Sequence, residues 1–578
     1  NPQSPIPNPQ SPIPNPQKTK YVGNFIINQK IPIEFMTSRK DKHNGRIANK
    51  EQKQYDMFDV YALCEIMQGY MSTHELFNTT DKVPYTQTGQ VRKYLENNFK
   101  KNATKNREIM YNLYPTNEEY LLAKASYSGG ITHVNTIYAN KLVYVPNGEI
   151  IHADIKSSYP YSILSGTYPT HKGVFIDPKE VTNEDLNNKM YIATLVFVGL
   201  RARVGFPNLS ISKCECTNPY TDNGKIVFAD TCYTTITSVD YKIVKYCYTW
   251  DSVHVVNFLY YERTGAIPEW IAETTKQFFI GKENTPKDTP DGAINYAINK
   301  ELLNSIYGCL ASSKDHEELT LNDDINDLQK TEVTEESLTK ELANEYKRKF
   351  APYLCTWITA YSRLSLYRGI ASVEQIAPNS VIYTDTDSLF IKAENNANSE
   401  AIRGALEELN EKIKQNSYSV KNYKGKASTL GVWEFEDIDE NGKGKYNKFV
   451  GIHAKAYAMG KDDDTIKAMT LAGVTAKNKK SGVTREEECG TFTNFMNMNE
   501  KGKGFTFIEN GGVTCGHITD TPHMEKINGH MQWVASGGII LDTVKQISFN
   551  QGENFIATKI LNNSIHTKDH LERKELNL

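Results

Sequence analysis

Ser380-Val-Ile-Tyr-Thr-Asp-Thr-Asp-Ser-Leu-Phe-Ile391 places a turn between two apolar runs. β-Branched and aromatic residues lead into Tyr383-Thr384-Asp385-Thr386-Asp387-Ser388, and apolar residues lead out, which predicts a hairpin of two short strands. Asp385 and Asp387 stand two apart, so an extended backbone would turn both carboxylates to one face. Two anions held together cost free energy unless a cation lies between them. Oxygen ligands with no Cys or His nearby favour Mg2+ or Mn2+. An isolated Asp-x-Asp is more often a plain surface turn, because Asp is common in turns. The flanking apolar strands and two further motifs weigh against that here.

The first of these is Asp154-Ile-Lys-Ser-Ser-Tyr-Pro160, after the strand-forming run of residues 143 to 154. Asp154 falls at the strand end, where it could complete a carboxylate cage for two divalent ions. Tyr159 could lie flat under a sugar. The same residues would also serve as an ordinary strand-to-helix turn capped by Asp and Ser. The second is Lys300-Glu-Leu-Leu-Asn-Ser-Ile-Tyr-Gly308, inside a helix predicted over 291–310 with Ile294, Ile298, Leu302 and Ile306 on its apolar stripe. Lys300, Asn304 and Tyr307 fall at i, i+4 and i+7 on the other face. An ammonium, an amide and an aromatic ring in a row suit a triphosphate, a base edge and a base face. Gly308 leaves room for a nucleotide or template. Alone, this pattern is also that of a surface helix with one extended Lys. A weaker third signal is His453-Ala-Lys-Ala-Tyr457, where Lys455 and Tyr457 would share a strand face. It lies in residues 441–485, which carry ten Lys and Arg against three Asp.

Taken in order, Asp-x-x-Ser-x-Tyr-Pro, Lys-x-x-x-Asn-Ser-x-Tyr-Gly and Tyr-x-Asp-Thr-Asp-Ser resemble the A, B and C motifs of family B DNA polymerases. Tyr127-Ser-Gly-Gly130, Lys455-Ala-Tyr457, Thr470-Leu-Ala-Gly-Val-Thr475 and Gly537-Gly-Ile-Ile-Leu-Asp542 are similar to the protein-primed branch, the replicases of phi29-like phages and linear plasmids. The resemblance runs over about residues 55 to 550. It implies an α+β right-hand polymerase: a palm with an antiparallel sheet, helical fingers and a small thumb. Palm segments would be 126–164 and 351–450, the fingers 266–311, and the thumb with a C-terminal tail 451–578. Two insertions would follow the branch pattern. Residues 165–265 would bind a terminal-protein primer, and 312–350 would serve processivity and strand displacement, although the second is acidic apart from Lys347, Arg348 and Lys349.

By the same resemblance, Asp154, Asp385 and Asp387 would be catalytic. Asp154, Asp387 and the backbone carbonyl of Ile155 would hold two Mg2+ or Mn2+ ions. Tyr159 would exclude a 2′-hydroxyl, Lys300 would bind the dNTP triphosphate, and Asn304 and Tyr307 would shape the nascent pair. Tyr127, Gly129, Gly130, Ser157, Gly308, Tyr383, Thr384, Lys455 and Tyr457 would contact primer-template DNA. One of Lys276, Lys282 and Lys287 would add a phosphate contact. An alternative within enzymes is a replicase started on nucleic-acid primers. A non-catalytic DNA-binding replication module is a further one, and it fits the retention of all three acids and Lys300 poorly.

Residues 20–125 depart from the family. Tyr55-Asp-Met-Phe-Asp59 fits the last element of a proofreading exonuclease, ahead of a helix predicted over 55–72, but no Asp-x-Glu precedes it. A two-metal exonuclease cannot work on one carboxylate. The expectation is a reduced exonuclease-like region without proofreading, with Tyr55 and Asp59 as its remnant; the alternative is that the upstream half was trimmed or sits on another chain. Residues 1–19 repeat Asn-Pro-Gln-Ser-Pro-Ile-Pro and should be an extended or disordered tail.

Composition narrows the remainder. The chain has 578 residues and a net charge of −3, so DNA must be held by local patches rather than a global field. Nine scattered Cys favour reduced thiols and an intracellular setting, the host cytoplasm or an organelle. No apolar run is long enough to span a bilayer, and no membrane partner is expected. A monomer is expected.

Overall fold

A computed structural model gives the architecture. It describes residues 86–311, 334–343, 353–497 apart from isolated loop positions, 556–561, and short strands and single helical residues elsewhere. The chain divides into two compact units: residues 1–85, 286–298 and 508–544, and residues 86–285, 299–507 and 545–578. The larger unit holds every residue of the site.

Its centre is a five-stranded antiparallel sheet. The strands are β1 (Thr132–Val134), β2 (Glu149–Ile155), β3 (Val381–Asp385), β4 (Ser388–Ala393) and β5 (Trp433–Glu436), in spatial order β5-β2-β4-β3-β1. Valine, isoleucine, tyrosine and phenylalanine dominate these strands, as β-branched and aromatic side chains fit a pleated, packed surface. Register decides what the sheet presents. Glu434 pairs with Asp154, Asp154 with Ser388, Ser388 with Asp385, and Asp385 with Thr132. Directly opposed residues point to the same face. Five residues spread over three hundred positions therefore form one row across the sheet, and three of them are acids.

Six helices concern the site, and α5 and α6 pack on the sheet itself: α1 (Gln87–Lys101), α2 (Ser158–Ser165), α3 (Glu269–Asn284), α4 (Pro290–Leu310), α5 (Leu354–Ile376) and α6 (Asn396–Asn416). α5 is buried along most of its length, with Trp357, Ile358, Leu366, Tyr367 and Val373 inaccessible to water. Its neighbours include α2 and α6. The helix predicted over 291–310 matches α4 to within a residue.

Residues 165–265 build a separate sheet. Its long strands Tyr191–Ala202, Lys225–Thr237 and Ser252–Tyr260 run antiparallel, with Tyr191–Ala202 between the other two. A helix, Ser238–Cys247, leaves the second strand through a Thr237 cap. Within 312–350 the described parts are a hairpin, Glu318–Asn322 with Asp327–Thr331, and the helix Glu335–Ala343. That helix buries Leu338 and Leu342, so this acidic stretch has apolar packing of its own. Lys347, Arg348 and Lys349 lie outside the described residues. So do the 1–19 tail, Tyr55 and Asp59; of the predicted 55–72 helix, only Phe58, Tyr61 and Cys64 are described, each helical.

After the five-stranded sheet, Lys448–His453, Ala456–Gly460 and Ile466–Leu471 form a second antiparallel sheet edged by Val143–Tyr144. Among the described residues, no helix is long and apolar enough to cross a membrane.

Candidate active site

The turn between β3 and β4 is tighter than alternation predicts. Asp385 pairs with Ser388, so Thr386 and Asp387 alone make the connection. Asp387 N donates to Asp385 O at 2.7 Å, closing a three-residue turn across Thr386. Thr386 is held at φ 64°, a region that β-branched side chains rarely adopt. Strain of this kind persists only where surrounding structure imposes it. The imposing groups are visible. Thr386 N donates to Ile131 O at 2.8 Å, and a methyl built at Gly130 would meet Thr386 Cγ2 at 2.6 Å. Gly130 is thus small for the sake of the turn, whereas Gly129 faces open space. Asp387 sits in the turn and not on an extended strand. The convergence of the two acids comes from the turn, which corrects the alternation argument.

The neighbouring strand completes the cluster. Ile155 N donates to Asp387 O at 2.8 Å, tying the end of β2 to the turn. The three acids then differ in partners. Asp385 is neutralised: Lys455 Nζ reaches both carboxylate oxygens at 2.7 Å, and Thr132 Oγ1 donates to Oδ1 at 2.9 Å. Asp154 and Asp387 make no side-chain ion pair among the described residues. Burial pushes the Asp154 carboxyl up to about 8, with Asp387, Glu436 and Glu434 adding and Lys300 opposing. Burial likewise pushes Asp387 up to about 6, helped by Asp385 and Glu436 and opposed by a backbone hydrogen bond and Lys300. Two half-buried carboxylates that disfavour their own charge fit a divalent cation, and all-oxygen donors fit a hard one.

These acids floor a cleft of roughly 620 Å³. Asn304, Ser305 and Tyr307 of α4 line it, with Tyr159 and Ser158 of α2. The α4 face is the predicted one: Lys300 and Asn304 are exposed, while Leu302, Leu303 and Ile306 are buried. Gln87 of α1 donates to Glu301, fastening the helix beside the cleft. The rings of Tyr159 and Tyr307 stack at 4.1 Å and 27°, so two aromatic groups from distant motifs share one place. A methyl built at Gly308 would meet nothing within 4 Å. Tyr127 caps the C-terminus of helix Asn117–Ser126, and burial pushes its hydroxyl up to about 12.

Several residues expected to touch DNA stand elsewhere. Tyr383 and Thr384 are inaccessible to water, because β3 is covered on both faces. Tyr383 packs on Tyr457, Phe390 and Phe449, and its hydroxyl accepts from Lys455 N at 2.9 Å. Their contribution is to the shape of the turn. Lys455 does not share a strand face with Tyr457. It occupies the turn between two strands at φ 56°, which delivers its ammonium to Asp385. Ser157, at φ 53° before α2, accepts from Lys282 Nζ at 3.0 Å. Lys282 is buried and also lies 3.4 Å from Glu283, so its ammonium is bound within the protein. Lys276 lies over the Tyr418 ring and Lys287, in the smaller unit, over Tyr296. Thr132, Glu434, Glu436 and Gln87 also belong to the site, and no local sequence pattern marks them.

A family model described as DNA polymerase type B, organellar and viral, matches residues 8–397, a span that includes Asp154, Lys300, Asp385 and Asp387. The chain belongs to that family and is a DNA-directed DNA polymerase. Its fold is the right-hand polymerase fold of phi29 DNA polymerase, solved in several states. The complex with primer-template DNA aligns with a TM-score of 0.52 at 18% identity, over 86% of this chain and 74% of that one. The ternary complex with primer-template DNA and incoming nucleotides gives 0.51 at 18%, over 89% and 75%. The complex with single-stranded DNA gives 0.52 at 18%, over 86% and 73%. No curated protein matches the sequence.

Proposed function

We propose that this polymerase adds dNTPs to a primer 3′ hydroxyl by a two-metal mechanism, starting from a terminal-protein hydroxyl on a linear phage or plasmid genome. The observation that carries the chemistry is the cross-sheet row that sets Asp154 beside the Asp385-Thr386-Asp387 turn. Asp154, Asp387 and the Ile155 carbonyl would hold the ions, and Asp385, already paired with Lys455, would support them from the side. When bound, two divalent ions lower the pKa of the attacking hydroxyl and offset charge on the leaving pyrophosphate. Lys300 takes the triphosphate, and Asn304, Tyr307 and Tyr159 enclose base and sugar, with Tyr159 excluding a 2′-hydroxyl. Lys282 orients Ser157 behind them. Gly129, Tyr127, Tyr457 and Gly308 border the path of primer and template. The fold shared with phi29 complexes holding primer-template DNA and nucleotides supports these as ligand classes. Extension of a singly primed circular template with Mg2+ is the direct test. No product with Mg2+ or Mn2+ would sink the reading.

The metal assignment has its own readout. Mg2+ at about 100 times its dissociation constant should add ~2.7 kcal/mol to stability, seen as a rise in Tm over chelated protein. Replacing Asp154 by Asn should abolish that rise. An unchanged response in the variant would place the ion elsewhere.

Protein priming rests on the separate sheet of residues 165–265 between motifs A and B, which we assign to terminal-protein binding; 312–350 we assign to processivity and strand displacement. Incubation with labelled dATP and a candidate terminal protein should put dAMP on a protein hydroxyl. Label on nucleic-acid primers alone would favour the nucleic-acid-primed alternative. We also propose that this chain, a monomer inside its host, carries in residues 20–125 a reduced exonuclease-like region that does not itself proofread, because Asp59 has no Asp-x-Glu partner within those residues. A 3′-mismatched primer with Mg2+ and no dNTP should stay intact, and efficient trimming would refute this.

A further inference from the structure

The Tyr127-Ser-Gly-Gly130 loop is gripped from behind by one guanidinium. Arg363, on α5, is 2% exposed. Its Nε and Nη2 donate to Asp240 Oδ1 at 2.9 and 2.8 Å, and Nη2 also to Oδ2 at 2.9 Å. Its Nη1 donates to Gly129 O at 2.8 Å and to Ser128 O. Asp240 is itself fixed: Thr237 Oγ1 donates to Oδ2 at 2.9 Å, and Asp240 N donates to Thr237 Oγ1 at 3.1 Å. Asp240 belongs to the helix Ser238–Cys247 of the 165–265 insertion, Arg363 to the helix under the five-stranded sheet. One side chain therefore joins the insertion, α5 and the loop.

The loop runs straight into the strained turn. Gly130 packs on Thr386, Ile131 O accepts from Thr386 N at 2.8 Å, and Thr132 Oγ1 donates to Asp385 Oδ1 at 2.9 Å. The chain of contacts is Asp240, Arg363, Gly129, then Gly130 to Thr132, then Thr386 and Asp385. Its links are hydrogen bonds, peptide bonds and one close packing contact. A planar fork with fixed donor directions suits this task, and an ammonium does not.

We propose that Arg363 and Asp240 are positioning residues for nucleotide addition, setting the Gly129–Thr132 segment that imposes the shape of the Asp385-Thr386-Asp387 turn. The proposal rests on the reading of that turn as the metal site. It makes the insertion a mechanical partner of catalysis as well as a docking surface. A buried ion pair can also be a plain structural staple, replaceable by apolar side chains without loss of stability. The two roles give different results.

Single-nucleotide incorporation is measured against Mg2+ and dNTP concentration, beside Tm and primer-template affinity, for wild type, Arg363→Lys, and the double variant Arg363→Met with Asp240→Leu. With the fork lost, the Mg2+ concentration for half-maximal rate should rise about tenfold and kcat should fall, with primer-template affinity within about twofold. The double variant should recover Tm but not the Mg2+ requirement. A double variant with wild-type Tm, kcat and Mg2+ requirement overturns the proposal and leaves a staple. If neither variant folds, Gly130→Ala tests the same path from the other end: it keeps Arg363 and Asp240 and presses a methyl on Thr386. The same Mg2+ shift is expected, and a normal requirement overturns the proposal. A wild-type chain inactive with every divalent ion overturns the metal-site reading and this inference with it. A working wild type with unshifted variants overturns this inference alone.

Discussion

Asp387→Asn should cut nucleotide incorporation by about 10³-fold or more while leaving primer-template affinity within about twofold. The argument starts from charge. Asp154 and Asp387 line the cleft without an ion-pair partner among the described residues, and burial raises the pKa of both. An amide keeps the shape and the Ile155 N to residue 387 O hydrogen bond, since that bond uses the backbone. What disappears is one unit of negative charge where a divalent ion must bind and where the transition state most needs it. Losing several kcal/mol of that stabilisation gives the predicted factor, at about 1.36 kcal/mol per tenfold. The metal-free protein should not suffer, because a half-buried anion pressed by Asp385 is a cost to the empty fold. Its Tm in chelator should hold or rise. Primer extension by rapid quench, DNA affinity by anisotropy and a melting curve separate the cases. Activity within about tenfold of wild type would remove Asp387 from the metal site; a lowered Tm in chelator would mean the carboxylate holds the turn.

Asp385 makes the contrast. Its charge is already met by Lys455 at 2.7 Å and by Thr132 at 2.9 Å. The sequence treats the two acids as equals, two apart in one motif. The family resemblance assigns the metal to Asp387, but the physical difference lies in the register and the returning Lys455 turn, both set by contacts spanning many residues. The motifs themselves were legible because each is local: a strand end, a helix face, a tight turn. The α4 face was legible for the same reason, since helical period alone assigns Lys300, Asn304 and Tyr307 to one side. Tyr383 and Thr384 were misread because a strand covered on both faces gives alternation no solvent side to point to. Lys282 and Arg363 were invisible as partners because Ser157 and Asp240 lie 125 and 123 residues away. Thr386 at φ 64° could not be anticipated either, as threonine is among the residues least suited to that region. Such mismatches between local preference and observed conformation gather where function overrides propensity, and here they gather around one turn.

Lys300→Ala should lower kcat/KM for dNTP by about 10²- to 10³-fold, the weight of one charge-assisted hydrogen bond to phosphate in a site that accumulates negative charge. Lys300 is exposed on α4, one turn before Asn304 and two before Tyr307, so its removal opens no cavity and Tm should stay near wild type. The ammonium also acts on the acids: it is the cation that opposes the upward shift of both Asp154 and Asp387. Alanine therefore has two consequences of different sign. The triphosphate loses a partner, which raises KM. The acid pair, less neutralised, draws a divalent ion more strongly at a pH where both are ionised, so the Mg2+ requirement should not increase and should tend to fall. That combination distinguishes Lys300 from Arg363, whose loss should raise the Mg2+ requirement. Arginine at 300 restores charge with a wider, planar head, and should recover part of the dNTP affinity but less of kcat, since the fork cannot occupy the place of a compact ammonium. Steady-state titration of dNTP at fixed saturating Mg2+, then of Mg2+ at fixed dNTP, reads both effects. An unchanged KM for dNTP in Lys300→Ala would mean that the triphosphate lies away from this face of α4, and the assignment of Asn304 and Tyr307 to the nascent pair would have to move with it.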